Sequence, residues 1–116
     1  MRGMILLVLL LCASPIRAAD QVDYALFGVA TTLHVIDLGQ SLGIRHHAGY
    51  SETNPFLGSH PSDEALYAYA LAVIGVDFFV VRYLSPEWRR LYLAFDIGQV
   101  AQATTMNARI GLKVNF

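Results

Sequence analysis

Three long apolar segments, each with an aspartate in its interior, constrain this chain more than any other feature. They extend over residues 22–43, 64–84 and about 86–106. Each has roughly the 20 residues that an α-helix needs to cross a hydrocarbon core about 30 Å thick. The sequence therefore predicts an all-α fold: a three-helix membrane bundle with an ordered loop between helices 1 and 2 and a short extended C-terminal tail.

The composition favours a membrane location and excludes several classes of protein. Apolar residues make up 55% of the chain and charged residues 15%, whereas soluble domains carry about a quarter charged residues. A net charge of −1 with a single lysine leaves no basic surface for a nucleic acid, and one cysteine excludes a disulfide scaffold. The expected partner is the lipid bilayer, with another membrane protein or a second copy of the chain as candidates, and no nucleic acid.

The first 19 residues have the organisation of a secretory signal peptide. The positive charge of Arg2 precedes an apolar run over residues 4–13, which is too short to span a bilayer. Ala18 and Ala19 then offer small residues for cleavage. We expect the signal to be removed on export and residues 20–116 to form a single helical domain in the bacterial inner membrane. A soluble bundle in the periplasm is the alternative.

Polar residues inside the apolar segments form a predicted seam between the helices. A charge at bilayer depth costs at least about 2.5 kcal/mol, so such side chains should face the bundle interior and find partners there. Helical spacing places them on facing surfaces of the first and third segments, and the second segment contributes one aspartate. The predicted seam comprises His34, Asp37, Gln40, Asp77, Asp96 and Gln99.

Three interpretations of this seam are open from the sequence. In the first, its carboxylates hydrogen-bond their neighbours, Arg89 and loop amides, and thereby fix the register of the helices. In the second, the seam is a polar path or a ligand site. In the third, it is a metal site or an enzyme, since His34 and Asp37 lie one helical turn apart and could share a metal with His46, His47, His60 or Glu52.

The sequence contains no motif that indicates catalysis. The patterns G-x-S-x-G and H-E-x-x-H are absent, and so is a phosphate-binding loop. Helical di-iron sites use glutamates, which lie outside the segment centres in this chain. The sequence therefore favours a protein without enzymatic activity, cofactor or metal, and the alternative is a small intramembrane metal-binding protein or enzyme that uses His34, Asp37 and loop residues.

The loop between the first two segments carries the most specific motif of the chain. Asn54 precedes a proline and therefore favours a turn. We expect Glu52 and Asn54 to bond to the backbone and Phe56 or Leu57 to be buried against helix ends. The motif residues are Glu52, Asn54, Pro55, Gly58, His60 and Pro61.

This loop, together with Asp37 in the preceding helix, resembles a family of small uncharacterised proteobacterial exported or membrane proteins. Their shared pattern is an aspartate in the first helix, an E-x-N-P-h-L-G-x-H-P loop and two further apolar helices. The resemblance implies an envelope location and three helices, and it implies no activity. The predicted function is a small integral inner-membrane protein, a structural or partner-binding component with an intramembrane polar seam.

Overall fold

The computed structural model describes residues 18–44 and 49–116, and these residues form three α-helices. Helix α1 extends over Gln21–Leu42, α2 over Asp63–Tyr83 and α3 over Pro86–Arg109. The described part of the chain contains no strand, so the predicted all-α bundle of three helices is confirmed. The predicted signal peptide as far as residue 17, and the loop pair His46-His47, lie outside the described residues.

Local signals in the sequence explain where each helix begins. The carboxylate of Asp20 accepts the amide of Asp23 at the start of α1, and the carboxylate of Asp23 accepts the amide of Asp20 in return. At the start of α2, the hydroxyl of Ser62 accepts the amide of Ala65. Pro86 occupies the first turn of α3, where a missing N–H costs nothing.

Helix α3 continues beyond the predicted end at residue 106. Nothing between Met106 and Arg109 interrupts a helix, and the helix stops just before Gly111. The φ angle of Gly111 is +89°, a conformation that favours glycine and commonly follows the last helical turn. The prediction ended the helix where the apolar pattern stopped, but the backbone signal that ends it lies further along the chain.

Helix α1 is the central helix of the bundle. It packs against both α2 and α3, which contact each other at fewer positions. The buried apolar side chains are small or branched and come from all three helices: Ala30, Leu66, Ala70, Val80, Val81, Leu93 and Val100. Polar side chains on α1 can therefore meet partners from both neighbours.

The C-terminal tail, residues 112–116, lies against the last turns of α1. The amide of Asn115 donates to the carbonyl of Gly39 at 2.9 Å, and Leu112 is buried. A Cβ atom at Gly39 would lie only 2.6 Å from Cγ1 of Val114 and 2.9 Å from Cζ of Phe116. The missing side chain at Gly39 thus allows the tail to approach the helix closely.

The bundle exposes large apolar side chains on its surface and buries charged side chains beside its apolar core. Large apolar side chains are exposed near the midpoint of every helix: Val29 is 48% exposed, Leu71 71% and Phe95 66%. The fully buried side chains include those of Asp23, Asp77 and Arg89. Of the described helices, α2 is the one that is long and apolar enough by itself to cross a membrane.

Candidate functional site

A histidine and two aspartates, one from each helix, meet in the middle of the bundle. His34 comes from α1, Asp77 from α2 and Asp96 from α3, and we call these residues the central trio. Nε2 of His34 lies 2.8 Å from Oδ2 of Asp96 and 3.7 Å from Oδ2 of Asp77. One potential ligand atom from each residue lies within 4.8 Å of the other two.

The two carboxylates of the central trio have different surroundings. Asp96 is partly buried and accepts a hydrogen bond from the imidazole of His34. Asp77 is 0% exposed and lies beside the hydroxyl of Tyr92, but neither of its carboxylate oxygens has a hydrogen bond of ordinary geometry with the described residues. A buried carboxylate without hydrogen bonds costs several kcal/mol, so Asp77 is the unsatisfied member of the trio.

The charges within the central trio do not balance. No lysine or arginine of the described residues forms an ion pair with Asp77 or Asp96. With both carboxylates ionised, the trio carries a net negative charge even when the imidazole of His34 is protonated. The interior of the bundle therefore favours a further positive charge at this position.

An open cleft of about 370 Å³ leads to the central trio. His34 and Asp96 line it, together with Tyr92 from α3 and Asn54 from the loop. Gln99 also lines the cleft and is exposed. Water and small ions can therefore reach the histidine and Asp96 without unfolding of the bundle.

A second polar cluster lies closer to the C-terminal end of α1. Nδ2 of Asn107 donates to Oδ1 of Asp37 at 3.2 Å and to Oε1 of Gln40 at 3.3 Å. The amide nitrogen of the Gln40 side chain donates in turn to the carbonyl of Thr104 at 3.2 Å. These bonds connect α1 to α3, and Asp37 takes part in them as an acceptor.

A third cluster closes the opposite end of the bundle with ion pairs. Nη1 of Arg89 lies 2.7 Å from Oδ2 of Asp23, and both side chains are fully buried. Arg90 approaches the other oxygen of Asp23 at 3.0 Å and Oδ2 of Asp20 at 2.7 Å. Arg89 also donates to the carbonyl of Leu84, so one arginine ties α1 to the connection between α2 and α3.

The loop motif forms its own hydrogen bonds. One carboxylate oxygen of Glu52 accepts the amides of Thr53 and Asn54, and the other accepts the hydroxyl of Ser41 on α1. The side chain of Asn54 accepts the amide of Phe56. The bonds of Glu52 to backbone amides are those the sequence led us to expect, whereas its bond to Ser41, which anchors the loop to the helix, was not anticipated.

The apolar residues of the loop differ in exposure. Phe56 is 86% exposed, whereas Leu57 is half-buried in a small pocket beside His34, Leu66 and Tyr69. His60 is exposed, bonds to the hydroxyl of Ser59 and is not part of the central trio. The motif therefore fixes the backbone of the loop through hydrogen bonds, and its His60 does not join the trio.

The structure divides the predicted seam into separate groups. It brings together His34, Asp77 and Asp96, places Asp37 and Gln40 with Asn107, and leaves Gln99 exposed at the cleft. The metal candidates His34 and Asp37 therefore belong to different groups.

Sequence reasoning missed the role of Asp23, which it did not single out. Asp23 lies at a helix start, where an acidic residue is usual and suggests only a capping role. Asn107 was not assigned to the seam, because it follows the apolar part of the third segment. The spacing of Arg89 and Asp96 on one face of α3 was the available signal, and it led us to expect Arg89 as a partner of the seam carboxylates, whereas the structure pairs it with Asp23.

No protein-family model matches this chain, and neither does any curated protein or solved structure. The resemblance of the loop to a proteobacterial family stays a prediction. What the chain does must therefore be inferred from its own geometry.

Proposed function

We propose that this protein is an integral inner-membrane protein whose three helices cross the bilayer together, and that it acts as a structural or partner-binding component. The apolar surface of the bundle carries this proposal. Exposed apolar side chains occur near the midpoint of each helix, whereas Asp23, Asp77 and Arg89 are buried between the helices. In lipid such an exterior is solvated by acyl chains, whereas in water it would favour aggregation.

The lengths of the helices suit a bilayer. At 1.5 Å per residue, the 21 to 24 residues of each helix extend over slightly more than about 30 Å of hydrocarbon. Helices α1 and α3 contain too many polar residues to enter lipid alone. In the bundle, their polar side chains bond to one another, which lowers the cost of placing them there.

Aromatic side chains at the helix ends support the same proposal. Tyr24, Tyr83 and Trp88 lie at the end of the bundle that holds the Asp23–Arg89 ion pair, and all three are exposed. Tyr67 is exposed at the opposite end, near the start of α2. Aromatic residues of this kind are enriched where membrane proteins meet the lipid headgroups.

The role we assign to the buried polar clusters is to fix how the helices are arranged. Apolar burial between helices does not drive association in lipid, so specific hydrogen bonds and close packing must select one register. Each end and the middle of the bundle has one such cluster. The exposed apolar faces remain available to lipid, to a second copy or to another membrane protein.

Lysine substitutions at the helix midpoints test the proposal one helix at a time. Val29→Lys, Leu71→Lys and Phe95→Lys should each destabilise the inserted protein by about 2.5–3.5 kcal/mol, because a charge would face the middle of the bilayer. Met106→Lys is the matched control, since a lysine near a helix end reaches the interface. Insertion is measured by resistance to alkaline carbonate extraction, and stability by unfolding in lipid bicelles.

A soluble periplasmic bundle would give the opposite result. Exposed apolar residues replaced by lysine would then change stability by no more than about 0.5 kcal/mol and would improve solubility. Extraction of the wild-type chain by carbonate without detergent would overturn the proposal directly. If Leu71→Lys were the only variant with reduced membrane insertion, α2 would cross the bilayer without α1 and α3.

A further inference from the structure

The central trio has the composition and the spacing of a metal site. It combines one imidazole nitrogen and two carboxylates, which are ligands of Zn²⁺ and of related first-row cations. Ligand atoms at about 2.0–2.2 Å from a tetrahedral ion are roughly 3.3–3.6 Å apart. The observed separations of 2.8 Å and 3.7 Å from Nε2 of His34 lie on either side of that range.

Asp77 provides an independent indication of a missing ligand. Its side chain is completely buried and points toward His34, yet neither of its oxygens has a hydrogen bond of ordinary geometry among the described residues. Buried polar atoms in native proteins nearly always have a partner, and an exception calls for an explanation such as an ion. A cation between the three side chains would satisfy Asp77.

The charge balance agrees with a divalent cation. Two ionised carboxylates and a neutral imidazole carry a charge of −2, which a divalent ion would neutralise. The described arginines at the ion-pair end are engaged with Asp20 and Asp23. A metal ion would therefore remove the main electrostatic cost of burying the trio.

We propose that His34, Asp77 and Asp96 bind a divalent transition-metal cation between the three helices, with Zn²⁺ as the representative ion. Three protein ligands leave a fourth position on a tetrahedral ion, which water from the open cleft can occupy. The ion would also link α1, α2 and α3 at a single point. This proposal does not depend on the membrane location, because the trio is assembled by the fold itself.

Zinc binding to the purified chain tests the site. The full chain is prepared in mild detergent without a polyhistidine tag, stripped with a chelator and titrated with Zn²⁺ against a chromogenic competitor. We expect one Zn²⁺ per chain. His34→Gln, Asp77→Asn and Asp96→Asn should each weaken the affinity by at least about 10- to 100-fold, since each removes a direct ligand.

Matched controls separate this site from binding elsewhere. His60→Gln removes an exposed histidine, and Glu87→Gln removes an exposed carboxylate on α3. The double variant His46→Gln/His47→Gln removes the adjacent pair in the loop. All three controls should bind Zn²⁺ with the wild-type affinity. The proposal would be overturned if any control lost binding while the variants of the trio kept it.

Spectroscopy of the wild-type protein provides a test that needs no variant. Co²⁺ in place of zinc should give the intense visible absorption of a four- or five-coordinate ion, and X-ray absorption at the zinc edge should show one imidazole among oxygen ligands. Two or more imidazoles in the coordination sphere would contradict the assignment. Failure of the folded wild-type chain to bind Zn²⁺ or Co²⁺ at all would also overturn it.

Discussion

Arg89 and Asp23 form a fully buried ion pair, 66 residues apart in the sequence, in which Nη1 of the arginine lies 2.7 Å from Oδ2 of the aspartate. The contact joins the first turn of α1 to the first turn of α3. A buried charge that loses its partner is far more costly than an exposed one, so this contact makes the bundle dependent on both residues.

Removal of the arginine should therefore destabilise the bundle strongly. We expect Arg89→Met to lower the free energy of unfolding by about 3–5 kcal/mol. The carboxylate of Asp23 would remain buried, and the exposed Arg90 would be its remaining charged partner. Arg82→Met, at an exposed position on α2, should leave stability unchanged. Unfolding titrations in detergent measure both, and equal stability of the two variants would show that the buried pair contributes nothing.

The second polar cluster makes a different prediction about Asp37. Asp37→Leu should cost about 1–3 kcal/mol, because the side-chain amide of Asn107 loses one of its two acceptors. Asp37→Asn keeps an oxygen in the same place and should retain most of the stability. Thermal melts in detergent compare the two, and identical melting of Asp37→Leu and wild type would exclude a stabilising role for the cluster.

The close approach of the tail to α1 can be tested at Gly39. Gly39→Ala should displace Val114 and Phe116 and increase the hydrogen exchange of the Asn115 amide, because the new methyl group would occupy their position. Gly75→Ala adds a methyl group with no atom within 4 Å and should stabilise α2 by about 0.5–1 kcal/mol. Unchanged exchange at Asn115 in Gly39→Ala would mean that the tail does not rest on the helix.

The loop gives a prediction that separates its two apolar residues. Leu57→Ala should destabilise the protein by about 1 kcal/mol, as expected for a half-buried side chain. Phe56→Ala should have no effect on stability, because its ring is almost entirely exposed. If Phe56→Ala lowered the free energy of unfolding more than Leu57→Ala, Phe56 and not Leu57 would hold the loop against the bundle.

A related measurement addresses the backbone of the loop. Amides from Thr53 to Gly58 should be protected from hydrogen exchange in the wild type, since Glu52 and Asn54 accept several of them. Glu52→Ala should remove the protection at Thr53 and Asn54. If these amides exchanged at random-coil rates in the wild type, the loop would be a segment that becomes ordered only when it binds a partner.

Much of the fold could be predicted from the sequence because its signals are local. The lengths of the apolar segments, Ser62 before α2 and Pro86 at the start of α3 fix the number and approximate bounds of the helices. Helix α3 ends at Arg109, three residues beyond the predicted end at about residue 106, because the apolar pattern and the helical backbone stop at different residues there. Gly111 carried the information, and its effect depends on a φ angle that composition does not reveal.

The partners of the polar side chains were harder to predict. Periodicity shows which residues share a helix face, but the height at which two helices align decides which of them meet. If α1 were shifted by one turn along α3, Asp37 would replace His34 as the neighbour of Asp96. The loop presented a similar difficulty, since adjacent positions such as Phe56 and Leu57 point in different directions and only the packed structure distinguishes them.

The wide sequence separation of these contacts has a consequence for biosynthesis. Asp23, His34 and Asp37 on α1 are synthesised early, whereas their partners Arg89, Asp96 and Asn107 follow 62 to 70 residues later. The ribosome must therefore synthesise α3 before α1 can bury its polar side chains. Until then α1 needs water, a translocation channel or a chaperone around those groups, so its packing is completed only after α3 has been made.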